Sequence, residues 1–139
     1  MYRIKQLSIF VENKTGQITD VTTILSQNNL SIKSINLIDS NDFGILRVIV
    51  DDEQKAKKVL DDAGISLKIS DVFAVAIDDH IGSFNEVVTL LSSNNINIKY
   101  TYTISNNHNG AFIFKVNPNN FNQVIDILQK NNINILKEI

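Results

Sequence analysis

The chain has 139 residues, 43% of them hydrophobic and 20% charged, with no cysteine and a formal net charge of −2. Such a composition is globular, rules out disulfides and thiolate metal sites, and leaves neither half with the basic excess that a nucleic-acid backbone demands. No apolar run is long enough to span a membrane, and Met1-Tyr2-Arg3-Ile4-Lys5-Gln6 lacks the apolar core of a signal peptide, so the expected location is the cytoplasm.

Residues 7–11 read Leu-Ser-Ile-Phe-Val, an alternation that predicts a strand. Residues 12–17 are polar with one glycine and predict a loop. Ile18, Val21, Ile24 and Leu25 then form a helical stripe. Asn28-Asn29 ends it, because asparagine tolerates the left-handed turn that closes a helix. Residues 31–39 and 43–50 are β-rich runs around Ser40-Asn41-Asp42. Asp51 or Asp52 can cap a second helix with the stripe Ala56, Val59, Leu60 and Ala63. Gly64 stops that helix, and residues 65–69 predict a final strand.

The chain then repeats. With Gly16 set on Gly82, an offset of 66, Leu7, Ile9 and Val11 fall on Phe73, Val75 and Ile77. Val21 and Leu25 fall on Val87 and Leu91, Asn28-Asn29 on Asn94-Asn95, and Gly44 on Gly110. The offset grows to 68 later, placing Leu60 and Ile65 on Leu128 and Ile133. Asn117-Pro118 supplies a cap and a first-turn proline for the last helix. Each copy is β-α-β-β-α-β, so the expected fold class is α+β: two ferredoxin-like repeats, residues 1–70 and 71–139, with antiparallel sheets joined side by side. Only Ile69-Ser70-Asp71 lies between them. The sheet face carrying Ile45/Arg47/Ile49 and Ala111/Ile113/Lys115 is apolar enough to be expected against a partner chain.

The run Val11-Glu12-Asn13-Lys14-Thr15-Gly16-Gln17-Ile18 resembles the strand-to-helix loop of ACT domains, Asn-x-Pro-Gly before an apolar residue, with Thr15 in place of the proline. The second copy reads Ile77-Asp78-Asp79-His80-Ile81-Gly82-Ser83-Phe84. The segment Asp42-Phe43-Gly44-Ile45-Leu46-Arg47 is similar to stand-alone two-ACT amino-acid-binding proteins. The resemblance implies domains paired through their sheets, a free amino acid bound at the interface between them, a homodimer, and no cofactor. A glycine in the loop lets a ligand approach the backbone, and the helix start that follows suits a carboxylate. The implied ligand contacts are Asn13, Thr15, Gly16, Gln17 and Ile18, with Asp79, Ile81, Gly82, Ser83 and Phe84 in the second copy. The second strands add Asn36 and Leu37, with Tyr102 and Thr103 opposite. Thr15/Ile81, Asn36/Tyr102 and Lys14/His80 differ at matched positions, so an asymmetric pair of sites is expected, with residues 13–18 as the working one.

Plainer roles stand beside these. Gly16 and Gly82 serve equally as turn glycines, Asn13 as a turn cap, Asn36 as an edge residue, and Tyr100 and Tyr102 as packing groups. His80 and His108 lie apart, without metal-ligand spacing. Nucleophile elbows, phosphate-binding loops and metalloprotease signatures are absent from the sequence, so an enzyme is not expected. Asn109-Gly110-Ala111-Phe112-Ile113-Phe114 only partly resembles an RNA-recognition strand, and neither nucleic acid nor membrane is an expected partner. The competing reading is a regulatory subunit that acts on a partner enzyme of amino-acid metabolism without its own ligand.

Overall fold

A computed structural model describes residues 1–40, 42–78, 80–106 and 109–139. The elements follow in the order β1 (Ile4–Glu12), α1 (Gln17–Gln27), β2 (Ile32–Ser40), β3 (Phe43–Val50), α2 (Glu53–Asp62), β4 (Leu67–Ala76), α3 (Ser83–Ser93), β5 (Ile98–Asn106), β6 (Asn109–Val116), a 3₁₀ turn (Pro118–Asn120), α4 (Phe121–Lys130) and β7 (Ile135–Leu136). Asn41, Asp79 and His108, named in the sequence analysis, lie outside the described residues. The chain divides into two compact units, one of Lys5–Ser70 and one of Asp71–Ile139 together with Met1–Ile4.

In the Lys5–Ser70 unit, β3 lies antiparallel between β1 and β2, with Val11 opposite Gly44 and Leu37 opposite Leu46. Ser66, just before β4, accepts a hydrogen bond from Phe10 N at 3.0 Å and so brings the start of β4 alongside β1. The other unit repeats the plan. β6 lies between β4 and β5, with Phe73 opposite Phe114, and the short β7 pairs with β4. Ala76 N donates to Asn134 O at 2.9 Å, the counterpart of the Phe10–Ser66 bond. Each unit is thus a ferredoxin-like βαββαβ repeat with an antiparallel sheet.

Alternation along the strands decides the core. Leu7, Ile9 and Val11 meet Leu46, Val48 and Val50 on one face, where Val21 and Leu25 of α1 and Ala56 and Leu60 of α2 cover them. All are buried. The second core is more aromatic: Phe73 stacks on Phe114 at 5.3 Å and takes Phe121 edge-on at 5.9 Å. Full burial of such a side chain stabilises by about 1.5–3 kcal/mol. Ile18, which its spacing assigns to the core stripe, is instead 38% exposed at the start of α1. The opposite sheet face also departs from expectation. Ile49 and Ile113 are 3% and 0% exposed within the single chain, so their burial requires no partner chain.

The abundant asparagines have a structural reason. Asn29, Asn95 and Asn132 hold φ of 56°, 60° and 59°, the left-handed conformation that closes a helix. The asparagine before each of them donates its side-chain amide back to a carbonyl four residues earlier, at 2.8 Å in all three cases. The residue after each pair completes the cap: Leu30 N donates to Leu25 O, Ile96 N to Leu91 O and Ile133 N to Leu128 O. Gly64, φ 78°, performs the same closure for α2. At the other end of α2, Asp52 accepts from Lys55 N at 3.1 Å. Asn117 accepts from Asn119 N at 3.0 Å, at the 3₁₀ turn that leads into α4.

Met1–Ile4 belongs with the second repeat. Tyr2 packs on that core and its hydroxyl accepts from Gln129 Nε2 at 3.0 Å. Arg3 pairs with Asp71 at 2.7 Å, reaches Asn122 at 3.2 Å and lies 4.2 Å above the centre of the Phe121 ring.

Candidate functional site

The loop between β1 and α1 is shaped by one backbone choice. Gly16 sits at φ 93°, ψ −12°, and becomes the N-cap of α1. Gly82 sits at φ 91°, ψ 6°, before α3. A side chain is strained at such φ, so these positions need glycine for conformation. A Cβ built at either would meet nothing within 4 Å. The space above the glycine is open for a ligand to approach the backbone.

The two loops share the same hydrogen bonds. Lys14 N donates to Glu12 O and His80 N to Asp78 O, both at 2.9 Å. Gln17 N reaches Lys14 O and Ser83 N reaches His80 O, both at 3.4 Å. Gly16 O accepts from Asp20 N, and Gly82 O from Glu86 N. Because glycine has no capping side chain, the first-turn N–H groups of both helices lack a side-chain cap. Such groups, at the positive end of the helix dipole, suit a carboxylate.

Side chains distinguish the loops. Asn13 donates to Asp39 Oδ1 of β2 at 3.1 Å, and its N–H to Asp42 O at 2.9 Å, which ties the first loop to the β2–β3 turn. Gln17 accepts from Glu12 N at 3.4 Å. Lys14 pairs with Glu12 at 2.9 Å. The hydrogen bond to the Glu12 carboxylate, and then its charge, raise the Lys14 ammonium above its ordinary value. His80 stands 3.5 Å from Glu86 in the second loop.

A pocket of about 50 Å³ brings together Asn13, Gln17, Ile18 and Leu37, along with Val11, Glu12, Lys14, Asp39 and Gly44. Thr15 and Gly16 lie in the same loop but do not line it. Asn36 is opposite Arg47 in the register, on the sheet face away from Leu37, so these neighbours cannot serve one pocket from one strand. Tyr102, opposite Ile113, occupies the corresponding face in the second repeat, where its ring stacks on Tyr100 at 6.4 Å. Ile81 is fully exposed. Phe84 packs edge-on against Phe112 at 4.9 Å. Ser83 begins α3 beside Gly82.

Sequence reasoning missed a larger concavity of about 690 Å³ next to the loop pocket. It shares Val11, Glu12 and Gln17 with that pocket and is bounded by Phe10, Phe43, Ile24 and the turn at residues 63–66. The signal in the sequence was Phe10, out of phase with the alternating Leu7, Ile9 and Val11; it and Phe43 are 51% and 63% exposed. Among the described residues, no three His, Asp or Glu side chains are grouped to hold a metal ion, and no helix is long and apolar enough to cross a membrane.

The architecture is known elsewhere. Protein BT0572 from Bacteroides thetaiotaomicron has a crystal structure that superposes with a TM-score of 0.89 at 33% identity, covering 97% of this chain and 92% of that one. The regulatory subunit of aspartate kinase from Thermus thermophilus superposes with a TM-score of 0.66 at 10% identity, covering 94% and 93%, which shows a shared fold. The corresponding subunit from Thermus flavus gives 0.64 at 12% identity, covering 94% and 92%. No curated protein matches the chain. Residues 2–139 match the family described as an ACT domain pair, and the chain belongs to that family.

Proposed function

We propose that the chain is a non-catalytic regulatory protein of the cytoplasm that binds a free amino acid at the loop of residues 12–18. The observation that carries the reading is the left-handed glycine cap, repeated at Gly16 and Gly82 in an ACT domain pair, with open space above it and uncapped N–H groups beyond it. The α-carboxylate sits at the start of α1, and the side chain enters the pocket walled by Val11, Ile18 and Leu37. That pocket is about a third of a 150 Å³ cavity able to hold benzene, so it takes only part of a ligand. A second chain closes the rest, which makes ligand and homodimer mutually stabilising. The aspartate kinase regulatory subunits that share the fold favour a partner enzyme of amino-acid metabolism as the target.

A second reading is regulation by contact alone. Ile35 and Leu37, 49% and 48% exposed on edge strand β2, favour it. A thermal-shift screen with the twenty amino acids separates the two. A ligand at a hundred times its Kd adds about 2.7 kcal/mol, a rise of roughly 5–10 °C for a chain of this size. No shift with any amino acid at millimolar concentration would reject the ligand reading and leave the contact reading.

A further inference from the structure

We infer that the concavity of about 690 Å³ in the Lys5–Ser70 unit is a second binding site beside the loop pocket, and that it takes a small organic ammonium ion with an apolar body.

Its volume lies within the range of roughly 300–1,000 Å³ typical of small-molecule sites. Val21, Ile24 and Ile65 give it an aliphatic wall, and Phe10 and Phe43 reach it from the sheet. In the register of β1 on β3, Glu12 is opposite Phe43. Phe10 is two residues before Glu12 and so shares its face. Two rings and a carboxylate are therefore neighbours on one side of the sheet. Both rings are more than half exposed, so the core gains little from either.

The repeat separates scaffold from site. Asp20, Val21 and Ile24 recur as Glu86, Val87 and Leu90, and Glu12 recurs as Asp78. The fold accounts for the helix residues: an acidic group suits the first turn of a helix, and the aliphatic ones pack on the core. Phe10 and Phe43 do not recur. Ala76 and Asn109 hold the matched positions, so the fold needs no ring at either place. Exposed rings that share one concavity form the kind of apolar patch that marks a binding surface.

Charge sets the ligand class. Among the described residues that line the concavity there is no lysine or arginine, whereas Glu12 and Asp20 both line it. Lys14 pairs with Glu12 at 2.9 Å, which leaves Asp20 as the net negative charge. The faces of aromatic rings attract cations. Rings and carboxylates thus select the same group, an ammonium, and the carboxylates oppose an anion. An amine without a carboxylate of its own meets both demands.

The test is a titration of the ¹⁵N-labelled full chain with 2-phenylethylammonium chloride. A parallel titration uses sodium 3-phenylpropanoate, which has the same apolar body and the opposite charge. The amides of Asp20, Ile24, Gly64 and Ile65 report on the concavity, and those of Asn13, Ile18, Leu37 and Gly44 on the loop pocket. Expected are saturable shifts of the first set with the amine at millimolar concentration, and binding of the propanoate at least about tenfold weaker. Phe10→Ala/Phe43→Asn, which installs the residues of the second repeat at exposed positions, should weaken amine binding about fivefold or more, and Asp20→Asn about two- to fivefold. A dispersed spectrum certifies the fold of each variant. Silence of the first set with the amine, shifts confined to the loop-pocket set, equal binding of the propanoate, or unchanged amine affinity in either variant would each overturn the inference.

Discussion

Replacing Gly16 by alanine isolates the conformational demand of the loop. The added Cβ would meet nothing within 4 Å, so no steric contact contributes. What remains is the cost of holding an L-residue at φ 93°, roughly 1–2 kcal/mol. With a urea dependence of about 2 kcal/mol/M, the unfolding midpoint should fall by roughly 0.5–1 M. Two units need not unfold together, so the midpoint is best read from amides of the Lys5–Ser70 unit, such as Leu25, by hydrogen exchange in urea. Gly16→Asn is the control. Asparagine already holds φ near 60° at residues 29, 95 and 132, so it should cost less than alanine at residue 16. If alanine leaves the midpoint unmoved, or asparagine costs as much as alanine, the loop does not depend on a left-handed residue and the reasoning fails.

Other substitutions probe the cores and the ends. Phe73→Ala, which removes a fully buried ring from the stack with Phe114 and Phe121, should cost about 3–5 kcal/mol in chemical denaturation. Asn29→Ala should cost about 1–2 kcal/mol, whereas Asn29→Gly should cost little, because glycine adopts φ 56° freely; equal losses would count against the cap. Arg3→Ala removes a partly exposed ion pair and a cation held over Phe121. It should lower the stability of the second unit by about 1 kcal/mol, with the ion-pair part shrinking in high salt.

The repeat was legible because matched strands and helices bury the same kind of side chain at the same phase. Leu7/Phe73, Val21/Val87 and Leu60/Leu128 are all buried as their spacing demands. Asp52 could be read as a cap because capping is local, whereas Asn117, expected to cap the last helix, caps the 3₁₀ turn ahead of it, and the N-cap of α4 is Asn120. The face of Asn36 was legible too: strand alternation alone separates it from Leu37. The docking of Tyr2 and Arg3 was not, because those residues lie outside the repeat and find partners more than 65 positions away. Nor was the exposure of Ile18, since helical phase does not tell whether the first turn overhangs the core. Glycine recurrence located the loops, but the close approach of Leu37 and Val11 over Gly44, and of Ile77 over Gly110, depends on side-chain rotamers that no spacing encodes.

β4 is one unbroken strand from Leu67 to Ala76, while the division between units falls at Ser70/Asp71 and the second unit also claims Met1–Ile4. During synthesis, residues 5–70 can emerge and close as the first unit. Residues 1–4, synthesised before that unit, must wait for their docking surface, including Phe121 and Gln129, which is made later. Cutting the gene at the repeat boundary would divide a strand and take Tyr2 and Arg3 away from the unit they seal.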